Sequence, residues 1–149
     1  DLKKWHEIMQ AYMGGAHAYH ATMPTDSLAK FRDVMLETQA YGFDKVKKEQ
    51  QELGQKIRAL LNENGFHSVA APGFEAPGVA VYYTDDPDLK TGKKFAAEGM
   101  QIAAGVPLQC DEPADFQTFR VGLLGLDKLH NVDRSVASFE NALKSVLAK

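Results

Sequence analysis

The chain has 149 residues, 44% of them hydrophobic and 25% charged, the make-up of one globular unit rather than of a disordered, collagen-like or disulfide-stapled chain. Seventeen Lys and Arg against twenty Asp and Glu leave a net charge of −3, without the clustered positive excess that phosphate backbones demand, so nucleic acid is not an expected partner. No apolar run approaches the roughly 20 residues of a membrane span, no signal-peptide core follows Asp1, and the lone cysteine, Cys110, suits a reducing compartment. The expected location is cytoplasmic, with no membrane partner.

Leu2, Trp5, Met9 and Tyr12 recur at helical spacing before Gly14 and Gly15, which predicts a short surface helix over about residues 1–13. Residues 16–24 carry neither period, and Pro24 biases Met23 away from helix, so this stretch reads as an ordered loop. Thr25, Asp26 and Ser27 offer N-cap oxygens to a helix whose Leu28, Phe31, Met35 and Thr38 share a face until Tyr41 and Gly42. Phe43, Val46, Gln50, Leu53, Ile57 and Leu60 then step by three and four through the clearest helix, which Gly65 terminates.

Beyond it the period shifts. Residues 66–71, 78–84 and 119–124 are short runs rich in Val, Phe and Tyr between Pro, Gly and Asp, and read as strands. A small helix from Asp88 to about Gly99 and a short strand at 101–104 lie between them. Asn131 caps a last helix presenting Val132, Val136, Phe139, Leu143 and Val146 on one face. Helices with mostly antiparallel strands imply a two-layer α+β domain.

Glycine-rich phosphate loops, nucleophile elbows, paired-cysteine zinc patterns and calcium loops are all lacking from the sequence. His17 and His20 stand three apart but have no compatible third ligand nearby, which favours two hydrogen-bonded or solvated loop histidines over a metal pair. Cys110 is followed by Asp111 and Glu112, charges that oppose thiolate formation, so it reads as a structural or incidental thiol. The segment 119–125 carries the sharpest chemistry. Strand alternation puts Phe119, Val121 and Leu123 on one side and Arg120, Gly122 and Leu124 on the other. A guanidinium in an apolar strand requires an internal acid or an anionic ligand, and its planar fork matches a carboxylate. Gly122 on the same face leaves room for that ligand; a structural ion pair or a snorkelling surface arginine is the alternative. In the loop 19–24, the Tyr19 phenol and Thr22 hydroxyl are neutral donors suited to phosphate oxygens ahead of a helix start, or else members of a turn that caps that helix.

Taken in order, Tyr19-His20-Ala21-Thr22-Met23-Pro24, Phe31-Arg32-Asp33, Arg120-Val121-Gly122-Leu123-Leu124-Gly125 and Asn131-Val132-Asp133-Arg134-Ser135-Val136 span nearly the whole chain. The chain resembles the C-terminal part of class V aminotransferases, pyridoxal-phosphate enzymes of the aspartate-aminotransferase-like fold, above all the alanine–glyoxylate and serine–glyoxylate (serine–pyruvate) group. That resemblance implies a C-terminal small domain over residues 24–149, with residues 1–23 leading out of a large domain not contained here. It implies that Tyr19 and Thr22 bind the cofactor phosphate across a homodimer and that Arg120 binds the α-carboxylate of the amino or 2-oxo acid. In the family the Schiff-base lysine lies upstream of the position matching Asp1, so no catalytic residue is assigned and the fragment alone is expected to be inactive. A fragment should also expose apolar surface that the large domain would cover. The competing readings are a cysteine desulfurase of the same superfamily, with Cys110 as its thiol, and a non-catalytic interaction domain.

Overall fold

Residues 1–20 and 22–148 are described by the computed structural model; Ala21, inside the Tyr19–Pro24 motif, lies outside the described residues. The chain divides into two compact units, Asp1–Ala40 and Tyr41–Lys149.

In the first unit, α1 (Leu2–Met13) is opened by the Asp1 carboxylate, which accepts from the Lys3 amide at 3.0 Å. Its apolar stripe stays largely uncovered: Ile8 is buried, whereas Leu2, Trp5, Met9 and Tyr12 are exposed. The helix α2 (Thr25–Tyr41) buries no residue at all and leaves Leu28, Phe31, Val34, Met35 and Leu36 exposed. Its start corrects the capping expectation. Thr25, Asp26 and Ser27 lie inside the helix, and the first helical bond runs from the Leu28 amide to the Pro24 carbonyl at 3.0 Å. Pro24, with its preset φ and no N–H to satisfy, opens the helix without a side-chain cap.

The second unit is built on the long helix α3 (Phe43–Glu63), which buries Leu53, Gly54, Ile57 and Leu61. Beyond it lie β1 (Val79–Tyr83), α4 (Pro87–Lys90), α5 (Lys93–Ala97), β2 (Ala103–Ala104), β3 (Thr118–Gly122), α6 (Leu126–Leu129) and α7 (Val132–Leu147). The strands form one antiparallel sheet in the order β1-β3-β2, with Val81 and Ala103 both opposite Arg120. Asn131 caps α7 as expected, its side chain accepting from the Arg134 amide at 2.9 Å.

Two predicted elements come out differently, and one helix appears that was not expected. Residues 66–71 do not form a strand; Ser68 alone bridges to Tyr82, flanked by bonds from the Val69 amide to the Val81 carbonyl and from the Tyr83 amide to the His67 carbonyl. Extension toward Val79 is blocked because the Val79 carbonyl is already taken by Arg58 Nη2 at 2.7 Å. The helix expected over 88–99 splits into α4 and α5 because Gly92 adopts a left-handed φ of 77° between them. The short α6 carries no amphipathic signal and is set up by Gly125, at φ 122°.

Ala80, Tyr82, Phe119 and Val121 occupy the inner face of the sheet and share one apolar cluster with Leu53, Ile57 and Leu61 of α3 and Phe139, Leu143 and Val146 of α7. Phe119 is its hub, meeting the rings of Phe66, Tyr82 and Phe95 at 5.2, 6.3 and 6.5 Å, while Phe95 stacks on Phe139 at 5.6 Å. Each such aromatic contributes about 2–3 kcal/mol by burial. The outcome is the expected α+β arrangement, a small antiparallel sheet packed against helices. Among the described residues no helix is long and apolar enough to cross a membrane.

Candidate functional site

The pairing register gives the sheet two chemically different faces. With Phe119 and Val121 committed to the core, the alternate residues of β3 and their partners Val81 and Ala103 form the other face. Arg120 sits at its centre, half-buried, as the middle strand requires. Its Nε donates to the Ala104 carbonyl at 2.9 Å, which anchors the root of the guanidinium. Among the described residues no carboxylate lies within ion-pair distance of Arg120. No carboxylate thus engages the terminal nitrogens of the fork, a group whose planar shape can meet a carboxylate through two parallel hydrogen bonds. Beside it, Gly122 is exposed, and a Cβ there would meet nothing within 4 Å. Two residues along, Thr118 is buried with its Oγ1 unpartnered, held under Gly105, whose backbone approaches the Thr118 carbonyl too closely to admit a Cβ.

Tyr19 and Thr22 belong to the other unit. They come together there: the phenol and hydroxyl oxygens are 3.4 Å apart, both exposed, and thus form a paired neutral donor set. Both precede the N-terminus of α2, with Asp26 in its first turn. His17 and His20 lie in the same unit. Each packs edge-on against an aromatic ring of α1, His20 on Trp5 at 5.2 Å and His17 on Tyr12 at 6.3 Å. Among the described residues no group of three His, Cys, Asp or Glu is placed to hold a metal.

Cys110 is exposed in a loop where Gln109 and Asp111 take positive φ values of 60° and 63°. Glu112 holds that conformation: its carboxylate accepts from the Cys110 amide at 2.8 Å and the Gln109 amide at 2.9 Å. Those two amides, Cys110 first, drive the Glu112 pKa down to about 2. The thiol therefore shares its loop with a persistent negative charge, as its sequence neighbours suggested.

No protein-family model matches the chain, and no curated protein does. Solved structures do match. The crystal structure of alanine–glyoxylate aminotransferase from Nostoc sp. aligns with a TM-score of 0.71 and 19% identity over 95% of this chain and 36% of that one. This chain has the fold of an aminotransferase segment. An aspartate aminotransferase of subgroup IV from Thermus thermophilus aligns at 22% identity with a TM-score of 0.48, over 65% of this chain and 26% of that one. The chain spans about a third of the length of the Nostoc enzyme. At this level of identity the likeness concerns the fold, which agrees with the one expected from the motifs.

Sequence reasoning identified Arg120 and Gly122 through strand alternation. It missed the Ala104 carbonyl that anchors Arg120 and the buried hydroxyl of Thr118. Nothing in a linear pattern could have marked the first, because a backbone acceptor contributed by a two-residue strand has no side-chain signature.

Proposed function

We propose that this chain is the substrate-carboxylate-holding part of a pyridoxal-phosphate-dependent aminotransferase. In this reading the intact cytoplasmic enzyme moves an amino group between a small amino acid, alanine or serine, and a 2-oxo acid, glyoxylate or pyruvate. One observation carries it: Arg120, anchored at Nε, has no acidic partner among the described residues and stands two residues from Gly122, where a Cβ would meet nothing within 4 Å, in a chain whose fold aligns with an aminotransferase. An unpaired, half-buried guanidinium on the central strand costs stability and becomes intelligible as a receptor for a carboxylate.

Arg120 acts by orientation. Gripping the carboxylate at two points leaves the substrate one way to turn, so its Cα–H bond is held in the alignment the reaction needs. Tyr19 and Thr22 are assigned to the cofactor phosphate, in trans across a homodimer, and their adjacent neutral hydroxyls suit phosphate oxygens. When bound, pyridoxal phosphate supplies an electron sink for the bonds at Cα. This chain's residues bind and orient, and none of them is assigned to the proton transfer. The exposed apolar residues of α1 and α2 are consistent with a surface that a larger polypeptide or a dimer partner covers. The loop around Cys110, fixed by the Glu112 carboxylate on the Gln109 and Cys110 amides, lends the desulfurase reading no support.

The test is Arg120→Ala and Arg120→Lys in the full-length polypeptide containing this chain. Losing a charge-assisted bidentate pair removes about 3 kcal/mol or more, on the order of a hundredfold in kcat/KM toward carboxylate substrates. The cofactor absorbance should be unchanged, and Lys should recover only part of the loss. Unaltered kcat/KM in Arg120→Ala refutes the assignment.

A further inference from the structure

The two outer strands of the sheet leave a gap within the Tyr41–Lys149 unit. β2 ends its pairing at Ala103, opposite Arg120, whereas β3 runs on to Gly122. The Leu123 amide donates to the Gly78 carbonyl on the β1 side at 2.9 Å. By the alternation of an antiparallel ladder, Gly122 therefore turns its own N–H and C=O toward the side where β2 has stopped. Between these groups and residues 100–102 opens a cavity of about 280 Å³.

Its walls are amphipathic. Leu53, Ile57, Val121, Leu123 and Phe139, all at most 5% exposed, supply apolar walls. Two cations, Lys128 and Arg134, line it together with a single acid, Asp127, which leaves a local charge of +1. Both cations are tethered: Lys128 Nζ donates to the Leu124 carbonyl at 3.0 Å and lies 3.6 Å from Asp127 Oδ1, and Arg134 Nη2 donates to the Asp127 carbonyl at 2.7 Å. Arg134 has no carboxylate partner among the described residues, so the rest of its fork is open.

We propose that this cavity is a small-molecule site for a monocarboxylate with an apolar body, distinct from Arg120 itself although Gly122 borders both. A dry apolar cavity of about 150 Å³ accepts a benzene ring, so this one accommodates an acid with a body of about six to eight carbons. The tail replaces water against the apolar walls, and the carboxylate is received by Arg134 with Lys128 beside it. Neither residue carries a role in the amino-transfer reading, so the two proposals stand or fall independently.

The experiment is a titration of the ¹⁵N-labelled chain with octanoate, with 1-octanol as the uncharged control. Saturable shifts are expected at residues 100–102, 122–123 and 135–139. Arg134→Gln should weaken octanoate at least about tenfold while leaving 1-octanol unchanged. Ser138→Phe, which fills the cavity from α7, should abolish both. Should Ser138→Phe fail to fold, the wild-type shift map and Arg134→Gln decide the matter. The proposal is overturned by shifts that do not saturate, by equal octanoate affinity in Arg134→Gln, by shifts centred on Val81, Ala103 and Arg120, or by shifts that follow protein concentration rather than octanoate, which would assign the cavity to a second copy.

Discussion

Replacing Gly54 with Ala sets two physical effects against each other. In the middle of a helix, Gly is about 1 kcal/mol worse than Ala, so propensity alone makes the substitution stabilising. Gly54, however, is buried in α3 where the backbone of Pro77 crosses it: a Cβ there would stand 2.8 Å from the Pro77 carbonyl oxygen and 3.3 Å from its Cα. The loop cannot easily yield. Gln50 Nε2 holds the Pro77 carbonyl at 3.1 Å, and Arg58 Nη2 grips the Ala76 and Val79 carbonyls on either side. Overpacking of this kind costs about 2–3 kcal/mol, which outweighs the propensity gain and leaves a net loss of about 1–2 kcal/mol. For a chain of this size that lowers Tm by about 2–8 °C. The sole tryptophan, Trp5, belongs to the other unit, so the measurement should be amide exchange at Tyr82, Phe119 and Val121. Ala59→Gly, on the exposed side of the same helix, is the control and should cost about 1 kcal/mol. Protection that rises in Gly54→Ala would refute the claim that the Pro77 contact is rigid.

Phe119→Ala, where the ring meets three other aromatic rings, should cost about 3–5 kcal/mol in urea titrations of the second unit; a loss below about 1 kcal/mol would mean the cluster closes over the cavity. Tyr82→Phe removes the 3.0 Å bond to Asn62 Oδ1 from a fully buried ring and should cost about 1 kcal/mol by the same assay. The Cys110 loop should respond to acid. Because the Glu112 pKa is depressed to about 2 from an ordinary 4.5, its hold is complete above pH 4.5 and is lost as pH falls toward 2. The Gln109 and Cys110 amide resonances should move across that window in the wild type and stay flat in Glu112→Gln.

Much of the second unit was legible because its helices obey a single period. The stripes on α3 and α7 led straight to Leu53, Ile57, Phe139, Leu143 and Val146, all of which reach the core. Arg120 was legible for a related reason, since alternation on a central strand leaves a charge few places to go. The failures share a cause in tertiary competition. The run at 66–71 has strand composition, but a guanidinium from α3 claims the acceptor that would have continued its ladder. Gly92 divides a plausible helix through a backbone angle that composition does not encode. The apolar stripes of α1 and α2 were readable as patterns, yet a pattern names a buried face only when something in the same chain covers it, and α2 buries nothing.

The manner in which β1 is bordered has a consequence for self-association. Of the groups it turns away from β3, the Val79 carbonyl is occupied by Arg58, the Val81 carbonyl by the Val69 amide, and the Tyr83 amide by the His67 carbonyl. Pro72 and Pro77, in the segment between that border and β1, have no amide hydrogens to lend. A foreign strand arriving at this margin meets two acceptors and a donor already spent, which blunts fibril-type recruitment there. Any stickiness of the purified chain should trace to the greasy flanks of its two N-terminal helices, and detergent or charge-introducing substitutions at Phe31 or Met35 should cure it.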